Sequence, residues 1–512
     1  MEFRTAITGF PRIGENRELK KALESYWSGK IPLSELSQTA ADLRKKHWTE
    51  QKSRGIDLIS VNDFSFYDIM LDTAIMLGAV PARFAGISEP FDRCFSMARG
   101  GDDCAAMEMT KWFNTNYHYI VPELEEGMAL SSDVSKIENE YKEAKALGIT
   151  PKINIVGPIT FTALSKCRKG LDVFSFFDEI FSTYKALLEK ISLLDEKVIV
   201  QMEEPVFCLD SYNDKLSLLE KTYASFSSIS ERLGIIVTGY FEHFSEAVKV
   251  LSSTGIMGLG LDFVYGKKNM ESLSYIKDKV IFAGVVDGRN IWKNDLKKSL
   301  GLLDDISKVV PKDRIIVSTS CSLLHVPYSV RQEPENKING MFSFAVEKTE
   351  EVALLGKLFN DEDLTKDEDL FFKENTRINE EKKQASAGLA GMAGDRAKKG
   401  SGKYREGAFS ERIKLQKELF KLPDLPTTTI GSFPQTPELR KVRRDYKKGI
   451  IESGEYKENI RKYIDECILF QEESGLDVLV HGEPERNDMV EYFGELLKGF
   501  HFTSNGWVQS YG

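Results

Sequence analysis

Short apolar runs recur through the first part of the chain and alternate with stretches of helical periodicity. Most of these runs are β-branched and apolar on consecutive residues, which is typical of strands buried on both faces. Between them, apolar residues recur every three or four positions, as on one face of a helix. The eight predicted strands are Thr5–Gly9, Ile56–Val61, Ile153–Val156, Val198–Met202, Ile235–Gly239, Met257–Leu261, Val280–Val286 and Ile315–Ser318.

Eight strand–helix units predict a (β/α)8 barrel, whose functional residues lie at the carboxyl ends of the strands. A doubly wound open sheet is the competing fold, but no glycine fingerprint follows the first strand. The long gap between the second and third predicted strands is interpreted as an insertion over the functional face. After the first strand, Asn16 is placed to cap the start of a helix and Gly29 to cap its end.

The start of the chain is repeated near its end. From Glu18 to Asp57 every matched position recurs 420 residues later, and the offset is 423 at the opening Phe-Pro. Two similar helix–strand units arising by chance are the alternative, but the conserved order favours a duplicated domain. The matched residues are Phe10-Pro11, Glu18-Leu19-Lys20-Lys21, Tyr26, Gly29 and Gly55-Ile56-Asp57-Leu58-Ile59, which recur as Phe433-Pro434, Glu438-Leu439-Arg440-Lys441, Tyr446, Gly449 and Gly475-Leu476-Asp477-Val478-Leu479.

The repeat predicts three parts: a complete barrel over residues 1–360, a linker over 361–425, and the start of a second barrel over 426–512. The second copy has room for about two of its eight strands, so the chain is expected to be a fragment of a longer protein. Residues 381–406 hold seven Lys or Arg against three Asp or Glu and are rich in Gly and Ala. This composition predicts a mobile linker, either a solvated tether or a flexible clamp for an anionic substrate.

Composition narrows the class of protein. The 512 residues are 41% hydrophobic and 29% charged, and no apolar run approaches the roughly 18 residues of a membrane span. A net charge of −10 makes nucleic acid an unexpected partner. Six cysteines are scattered without close pairing, and the start lacks the pattern of a secretory signal. We therefore expect a cytoplasmic enzyme, acting as a monomer on small molecules.

Basic residues in the first copy suggest an anion site. Arg17 and Lys20 lie on the first turn of a predicted helix, whose backbone N–H groups could hold carboxylates or phosphates. A solvated helix start is the alternative. Lys111 lies in the aromatic and amide-rich segment 108–119, which suits a planar anionic ligand about as well as a packed insertion.

Several strand ends of the first copy carry residues whose side chains could take part in catalysis or ligand binding. Paired carboxylates there could act as acid and base or bind a cation. None has metal-ligand spacing with another, so no metal is expected in this copy. These residues are Glu203, Glu204, Asp262, Asp287, Arg289, Cys321 and His325.

The second copy carries a denser site signal. Its second predicted strand ends in the polar run 481–488, in which Glu483 corresponds to Asp63 of the first copy. A carboxylate there, together with the Ser432 hydroxyl and nearby N–H groups, would suit the ammonium and carboxylate of an amino acid. An ordinary surface loop is the alternative.

Five segments together resemble the cobalamin-independent methionine synthase family. The resemblance extends over essentially the whole chain. It implies two (β/α)8 barrels related by duplication, and methyl transfer from 5-methyltetrahydropteroyltri-L-glutamate to L-homocysteine without cobalamin. The segments are Ile7–Gly14, Arg17–Lys20, Thr110–Tyr119, Thr427–Thr436 and Leu476 onward, with Leu476–Glu483 at its start.

The resemblance also implies roles for particular residues. Basic side chains of the first copy would pair with the glutamates of the folate substrate, and residues of the second copy would hold homocysteine or methionine. The folate-binding positions are Arg17, Glu18, Leu19, Lys20 and Lys111, and the homocysteine-binding positions are Ile430, Gly431, Ser432 and Glu483.

Zinc is implied by the same resemblance, held by one His, two Cys and one Glu of the second barrel. All four ligands, and the residues of catalysis, are expected beyond Gly512, so neither a metal ligand nor a catalytic residue is assigned within this chain. In the first copy the corresponding places hold Gly239 and Phe241, and Cys321 stands alone. Ile69 also departs from the family pattern, where a His is expected.

Two other functions stay open. One is a folate-polyglutamate-binding or scaffold protein without catalysis, since this chain by itself is expected to be inactive. The other is a related barrel enzyme that uses Glu203, Glu204 and Asp262 for different chemistry.

Overall fold

A parallel seven-stranded sheet forms the centre of the computed structural model, which describes residues 3–101, 104–276, 278–336, 338–399 and 407–510, without the side chains of residues 245, 385 and 387–399. The sheet order is β1-β5-β7-β8-β9-β10-β11. These strands are Leu58–Val61 (β1), Thr150–Val156 (β5), Val198–Glu203 (β7), Leu233–Gly239 (β8), Gly258–Asp262 (β9), Val280–Val286 (β10) and Ile315–Thr319 (β11). Four short strands lie outside it: Met109–Lys111 (β2), His118–Ile120 (β3), Glu123–Leu124 (β4) and Lys166–Cys167 (β6).

The first predicted strand, Thr5–Gly9, closes the sheet into a barrel without forming a regular strand. Thr5 bridges Val317 of β11 and Ala6 bridges Leu58 of β1, both in parallel. The segment thus joins the two edge strands, and the predicted barrel is confirmed. The segment was predicted as a strand, but only Thr5 and Ala6 form bridges, which is too few for a regular strand.

The described residues form seventeen α-helices. In chain order they are Glu18–Trp27 (α1), Leu33–Ser53 (α2), Ile69–Met76 (α3), Pro90–Arg99 (α4), Ser135–Ala146 (α5), Pro158–Ala163 (α6), Phe177–Ile191 (α7), Leu216–Ser227 (α8), Ser245–Leu251 (α9), Asn269–Ser272 (α10), Leu296–Ser307 (α11), Ala345–Phe359 (α12), Lys366–Lys399 (α13), Phe409–Phe420 (α14), Pro437–Lys447 (α15), Ser453–Glu473 (α16) and Met489–Leu496 (α17).

Two hydrophobic clusters support the first part of the chain. The larger one fills the barrel and the space between its strands and helices. The smaller one lies beneath α1, α2 and α4, and it includes Leu19, Leu36 and Phe95. Because this second cluster packs α1 against α4, it also fixes the relative positions of the polar residues on these two helices.

The helix after the first segment begins differently from the prediction. Arg17, not Asn16, is the residue before α1, and no side chain caps this end. Asn16 instead donates its backbone N–H to Glu18 at 2.9 Å. The predicted end is confirmed, since Gly29 has a φ of +68° just after Trp27. Glycine adopts this left-handed conformation at little cost.

The chain divides into two compact units. One comprises residues 1–385 together with 503–512, and the other comprises residues 386–502. The boundary lies inside α13, a helix where composition predicted part of a mobile linker. Of the basic segment 381–406, residues 400–406 lie outside the described residues and the side chains of 387–399 are not described, so tether or clamp stays a prediction.

The second unit holds the start of the repeated domain. Its two predicted strands lie side by side, with Val478 donating to the carbonyl of Thr427 at 3.0 Å and Phe433 donating to Gly482 at 3.0 Å. The pairing amounts to one isolated bridge between Ser432 and Gly482, so the expected strands are reduced to extended segments. Two segments with no further strand beside them have few partners for their backbone groups.

Across the described residues, no helix combines the length and the apolar character needed to cross a membrane. All six cysteines are free thiols.

Candidate functional site

The β2–β3 hairpin lies in the predicted insertion and covers the carboxyl end of the barrel. Its tip contacts the loops that follow β8 and β10. Phe113 packs on Phe241 with 6.0 Å between ring centroids, and the Arg289 guanidinium donates to the carbonyl of Asn114 at 3.1 Å. Lys111 is therefore held at the functional face of the first unit.

A buried guanidinium anchors this hairpin to the first turn of the chain. Arg12 is 1% exposed and donates to the hydroxyl of Tyr117 at 3.2 Å and to the carbonyl of Tyr67. Asp68 accepts from the same hydroxyl at 3.3 Å and from the backbone N–H of Ile120 at 3.0 Å. The position of Lys111 thus depends on a network inside the protein. Ile69, next to Asp68, packs against the main core.

The strand-end carboxylates of the first unit are occupied by structural hydrogen bonds. Glu204 is fully buried and accepts from the N–H groups of Ile159 and Thr160 and from the hydroxyl of Tyr223, at 3.2, 2.7 and 2.9 Å. Burial raises its pKa to about 7. A carboxyl group bonded in this way fixes three elements to one another.

Asp262 and Glu203 are used similarly. Asp262 accepts from the backbone N–H groups of Phe241, Val264 and Tyr265 at 2.8 to 3.1 Å, and burial raises its pKa to about 7. Glu203 accepts from the hydroxyl of Tyr240 at 2.7 Å. These contacts leave the carboxylates little freedom for acid–base chemistry and favour a structural role.

The remaining strand-end residues also face the protein interior. Asp287 accepts from the N–H of Arg289 at 2.8 Å and from the hydroxyl of Tyr265 at 3.0 Å. Burial lowers the pKa of His325 to about 3 and raises the pKa of the fully buried Cys321 thiol. Within the described residues, no three His, Cys, Asp or Glu side chains come together to hold a metal ion.

Arg17 and Lys20 line a cavity of about 470 Å³ in the first unit. Arg17 has a φ of +58°, an uncommon conformation for a non-glycine residue, and such strain is frequent at functional sites. Its guanidinium carbon lies 4.2 Å from the ring centroid of Trp507. The cavity is lined by Ile13, Arg17, Lys20, Leu23, Glu24, Trp27, Tyr67, Arg99, Trp507, Val508, Gln509 and Ser510.

The other predicted folate-binding positions on α1 have mainly structural surroundings. Leu19 is fully buried in the smaller hydrophobic cluster, and its N–H donates to the carbonyl of Ile13 at 3.2 Å. Glu18 accepts from the N–H of Asn16. The N–H of Leu19 is thus bonded within the chain, and the expected anion site depends chiefly on the side chains of Arg17 and Lys20.

The segment 503–510 connects this cavity to the hairpin that carries Lys111. The carbonyl of Ser510 accepts from the N–H of His118 at 2.6 Å, and His118 lies opposite Lys111 in the hairpin. At the other end of the segment, the Glu333 carboxylate accepts from the N–H groups of Ser504 and Asn505 at 2.7 and 2.6 Å. The structure thereby brings Arg17, Lys20 and Lys111 to one side of the first unit.

Sequence analysis missed three residues of this cavity: Trp27, Arg99 and Trp507. Arg99 stacks on Trp27 with 3.8 Å between its guanidinium carbon and the ring centroid. No spacing rule connects residues so far apart in the chain, although isolated tryptophans beside basic residues are a weak signal of cation–π pairs.

The second unit brings three of the four predicted homocysteine-binding positions together around Glu483. The hydroxyl of Ser432 donates to the Glu483 carboxylate, which also accepts from Nε of Arg486 at 2.7 Å. First Arg486 and then Ser432 hold the pKa of Glu483 below its usual range. Gly431 is the third position, since an added Cβ would lie 3.0 Å from Oε1 of Glu483. The side chain of Ile430 is fully exposed.

The loop that carries Glu483 is held by a second arginine. Arg443 of α15 donates to the carbonyls of Pro484 and Arg486 at 3.0 and 2.8 Å. Glu483 itself has a φ of +55°. The loop is therefore ordered by contacts within the second unit, and its role as an amino-acid site stays a prediction.

Comparison with known proteins identifies the same family on both sides of the predicted linker. Residues 4–311 match the model described as "Cobalamin-independent synthase, N-terminal domain". Residues 425–512 match the model described as "Cobalamin-independent synthase, Catalytic domain".

Individual relatives match nearly the whole chain. A protein of Desulforamulus reducens named 5-methyltetrahydropteroyltriglutamate–homocysteine methyltransferase is 52% identical over 511 residues, and a Catharanthus roseus protein of the same name is 46% identical over 520 residues. Each alignment covers 99% of this chain and 67% of the relative. A solved B12-independent methionine synthase from Shewanella sp. W3-18-1 is 14% identical, with a TM-score of 0.47 over 65% of this chain and 91% of that one.

Proposed function

The chain belongs to the cobalamin-independent methionine synthase family, and on that basis we propose that it takes part in methyl transfer from 5-methyltetrahydropteroyltriglutamate to L-homocysteine. The sulfur–carbon bond of methionine forms as the bond between N5 of the folate and its methyl group breaks. The thiol of homocysteine loses a proton and N5 gains one. The names of the relatives support both substrates.

The observation that carries the proposal for the first unit is the convergence of cations around segment 503–510. Each γ-linked glutamate adds a carboxylate to the folate tail, so a triglutamate is a strongly anionic chain. Arg17 and Lys20 line the cavity, and Lys111 lies in the hairpin bonded to the same segment. Arginine and lysine pair with carboxylates through charge-assisted hydrogen bonds, so these side chains would bind and orient the tail.

Trp507 supports this role by positioning Arg17. The indole face under the guanidinium restricts the orientation of the side chain and leaves its N–H groups available at the edge. Glu18 and Leu19 would then contribute by fixing the start of α1 rather than by touching the tail.

In the second unit, Glu483 would bind the ammonium group of homocysteine. Its lowered pKa means that it is ionised at neutral pH, which matches a cationic partner. The Ser432 hydroxyl and the backbone at Ile430 and Gly431 would meet the substrate carboxylate. The left-handed Glu483 aims the carboxylate at this turn.

Zinc is an expectation from the family resemblance, and the described residues do not fit it. Gly239 and Phe241 have no donor side chain, and the buried Cys321 belongs to no group of three potential ligands among the described residues. Metal analysis of the purified protein would test whether zinc is present. The free thiols support a reducing compartment, so we also propose that the protein acts in the cytoplasm.

Lys111→Ala tests the tail-binding role. We expect the variant to bind 5-methyltetrahydropteroyltriglutamate about tenfold more weakly, the value of one charge-assisted pair, with little change for the monoglutamate. Titration calorimetry on the full chain measures both. Lys142→Ala is the control, because this exposed lysine pairs with Glu138 on the same helix, α5.

Equal weakening of both ligands by Lys111→Ala would contradict the charge-pairing argument. Tight binding of the triglutamate without formation of methionine from homocysteine would favour the alternative of a folate-binding or scaffold protein. Loss of an activity in Glu204→Gln without folate binding would favour a barrel enzyme with different chemistry.

A further inference from the structure

Arg99 is a cation of the first-unit cavity for which the proposed function has no role so far. It is the last residue of α4 and is exposed. Its guanidinium carbon lies 3.8 Å from the ring centroid of Trp27, while Phe95, one turn earlier on α4, packs edge-on against the same ring at 5.5 Å. Among the described carboxylates none forms an ion pair with Arg99. The side chain is thus held in place with its charge unpaired.

The cavity extends along one face of α1. Arg17, Lys20, Glu24 and Trp27 all line it and lie on the same side of the helix, away from the buried Leu19. Trp27 lies ten residues after Arg17, which corresponds to about 15 Å along the helix axis. Arg17 and Arg99 therefore mark opposite ends of an elongated cavity.

The cavity walls favour an anion. Arg17, Lys20 and Arg99 are cationic, and the single lining carboxylate, Glu24, lies 3.9 Å from the ammonium group of Lys20. A guanidinium stacked flat on an indole keeps its N–H groups at the edge, where they can bind a carboxylate in a bidentate way. Two such stacks, Arg17 on Trp507 and Arg99 on Trp27, face the same space.

We propose that Arg99, held on Trp27, binds a carboxylate of the folate tail beyond its first glutamate and so makes the site selective for tail length. The inference rests on the proposed function of the cavity. A single glutamate cannot reach from Arg17 to a group about 15 Å further along α1, whereas an extended γ-linked chain can. Arg99 would then leave the monoglutamate unaffected.

Arg99→Gln tests this inference in the full chain by titration with 5-methyltetrahydropteroyl mono- and triglutamate. We expect the dissociation constant for the triglutamate to rise about tenfold and that for the monoglutamate to stay within about twofold. Arg99→Lys keeps the charge but loses the planar stack, so its triglutamate affinity should be intermediate. Arg93→Gln removes the same charge from α4 outside the cavity lining and should change neither value.

Circular dichroism and a thermal melt confirm that each variant is folded. Unchanged triglutamate binding in Arg99→Gln, or equal weakening of both ligands, would overturn the inference. If Lys111→Ala weakens triglutamate binding while Arg99→Gln does not, the proposed function stands and only the role of Arg99 fails. If the wild-type chain binds neither folate, both fail together.

Discussion

Two corresponding turns, one in each unit, share a left-handed residue before a carboxylate and differ in the surroundings of that carboxylate. Asn62 and Gly482 occupy equivalent positions of the repeat and are both left-handed, with φ values of +65° and +82°. The next residue is a carboxylate in each case, Asp63 or Glu483. Burial raises the pKa of Asp63 to about 7, whereas Arg486 and Ser432 hold the pKa of Glu483 low.

The difference follows from what surrounds each carboxylate. Asp63 accepts from the N–H of Phe10 at 2.9 Å, and at the position of Ser432 the first unit has Gly9. A Cβ on Gly9 would lie 2.6 Å from the hydroxyl oxygen of Ser322, so another side chain already occupies that space. The first turn is closed as a structural element, while in the second an ionised, half-buried carboxylate pairs with Arg486.

Gly9→Ser would give the first turn the serine that the second turn has at the corresponding position. This change should have the largest effect, a loss in the free energy of unfolding. The added atoms overlap with Ser322, and overpacking of this kind costs about 3 kcal/mol. Urea unfolding measures the loss. Adding Ser322→Gly should recover most of it, and an equal loss in the double variant would show that Ser322 is not the cause.

Glu204→Gln should flatten the pH dependence of stability. Burial raises the folded-state pKa of Glu204 from 4.5 to about 7, so its stabilising contribution is complete below the unfolded value and is lost as pH rises through 7. The stability gap between wild type and variant should therefore narrow between pH 5 and pH 8, on the order of 2 kcal/mol.

Urea unfolding at several pH values measures that gap. Glu483→Gln provides the contrast, because the lowered pKa of Glu483 means that its contribution disappears only on acidification below the usual carboxyl range. Its gap from wild type should stay flat from pH 5 to pH 8. A flat gap for Glu204→Gln as well would remove the contrast between the buried carboxylate and the ion-paired one.

Glu483→Gln should weaken homocysteine binding about tenfold, since the ammonium group loses a charged partner. Asp63→Asn is the matched control at the corresponding position and should leave this affinity unchanged. Calorimetric titration of homocysteine measures both. The opposite result, weakening by Asp63→Asn alone, would place the amino-acid site in the first unit.

Trp507→Ala should have the smallest effect. Removing the indole frees Arg17 without removing its charge, and an exposed cation–π contact corresponds to about a threefold change in triglutamate affinity. Trp292→Ala is the control, because this tryptophan stacks with Lys382 elsewhere in the first unit. A loss as large as that of Lys111→Ala would mean that Trp507 contacts the folate directly.

The barrel was predictable because its signals are local. Strands such as Val280–Val286 are continuous apolar runs. Amphipathic helical segments separate these runs, so strands and helices can be told apart along the chain. The cap at Arg17 was missed because nothing in Asn16-Arg17-Glu18 shows that the chain turns left-handed there. The site residues of the second unit were predicted as a group, although the arginines that organise them, Arg443 and Arg486, were not given that role.

The sequence by itself determined the barrel fold, the duplication and the family, since each depends on residue types at fixed spacing along the chain. Only the tertiary structure decided which charged residues are committed to the interior, as Glu204 and Asp262 are, and which are left for a ligand. The same holds for the cavity, where Arg99 meets Trp27 and Arg17 meets Trp507. Burial and pairing between distant segments depend on how the whole chain packs, and a linear pattern does not contain that information.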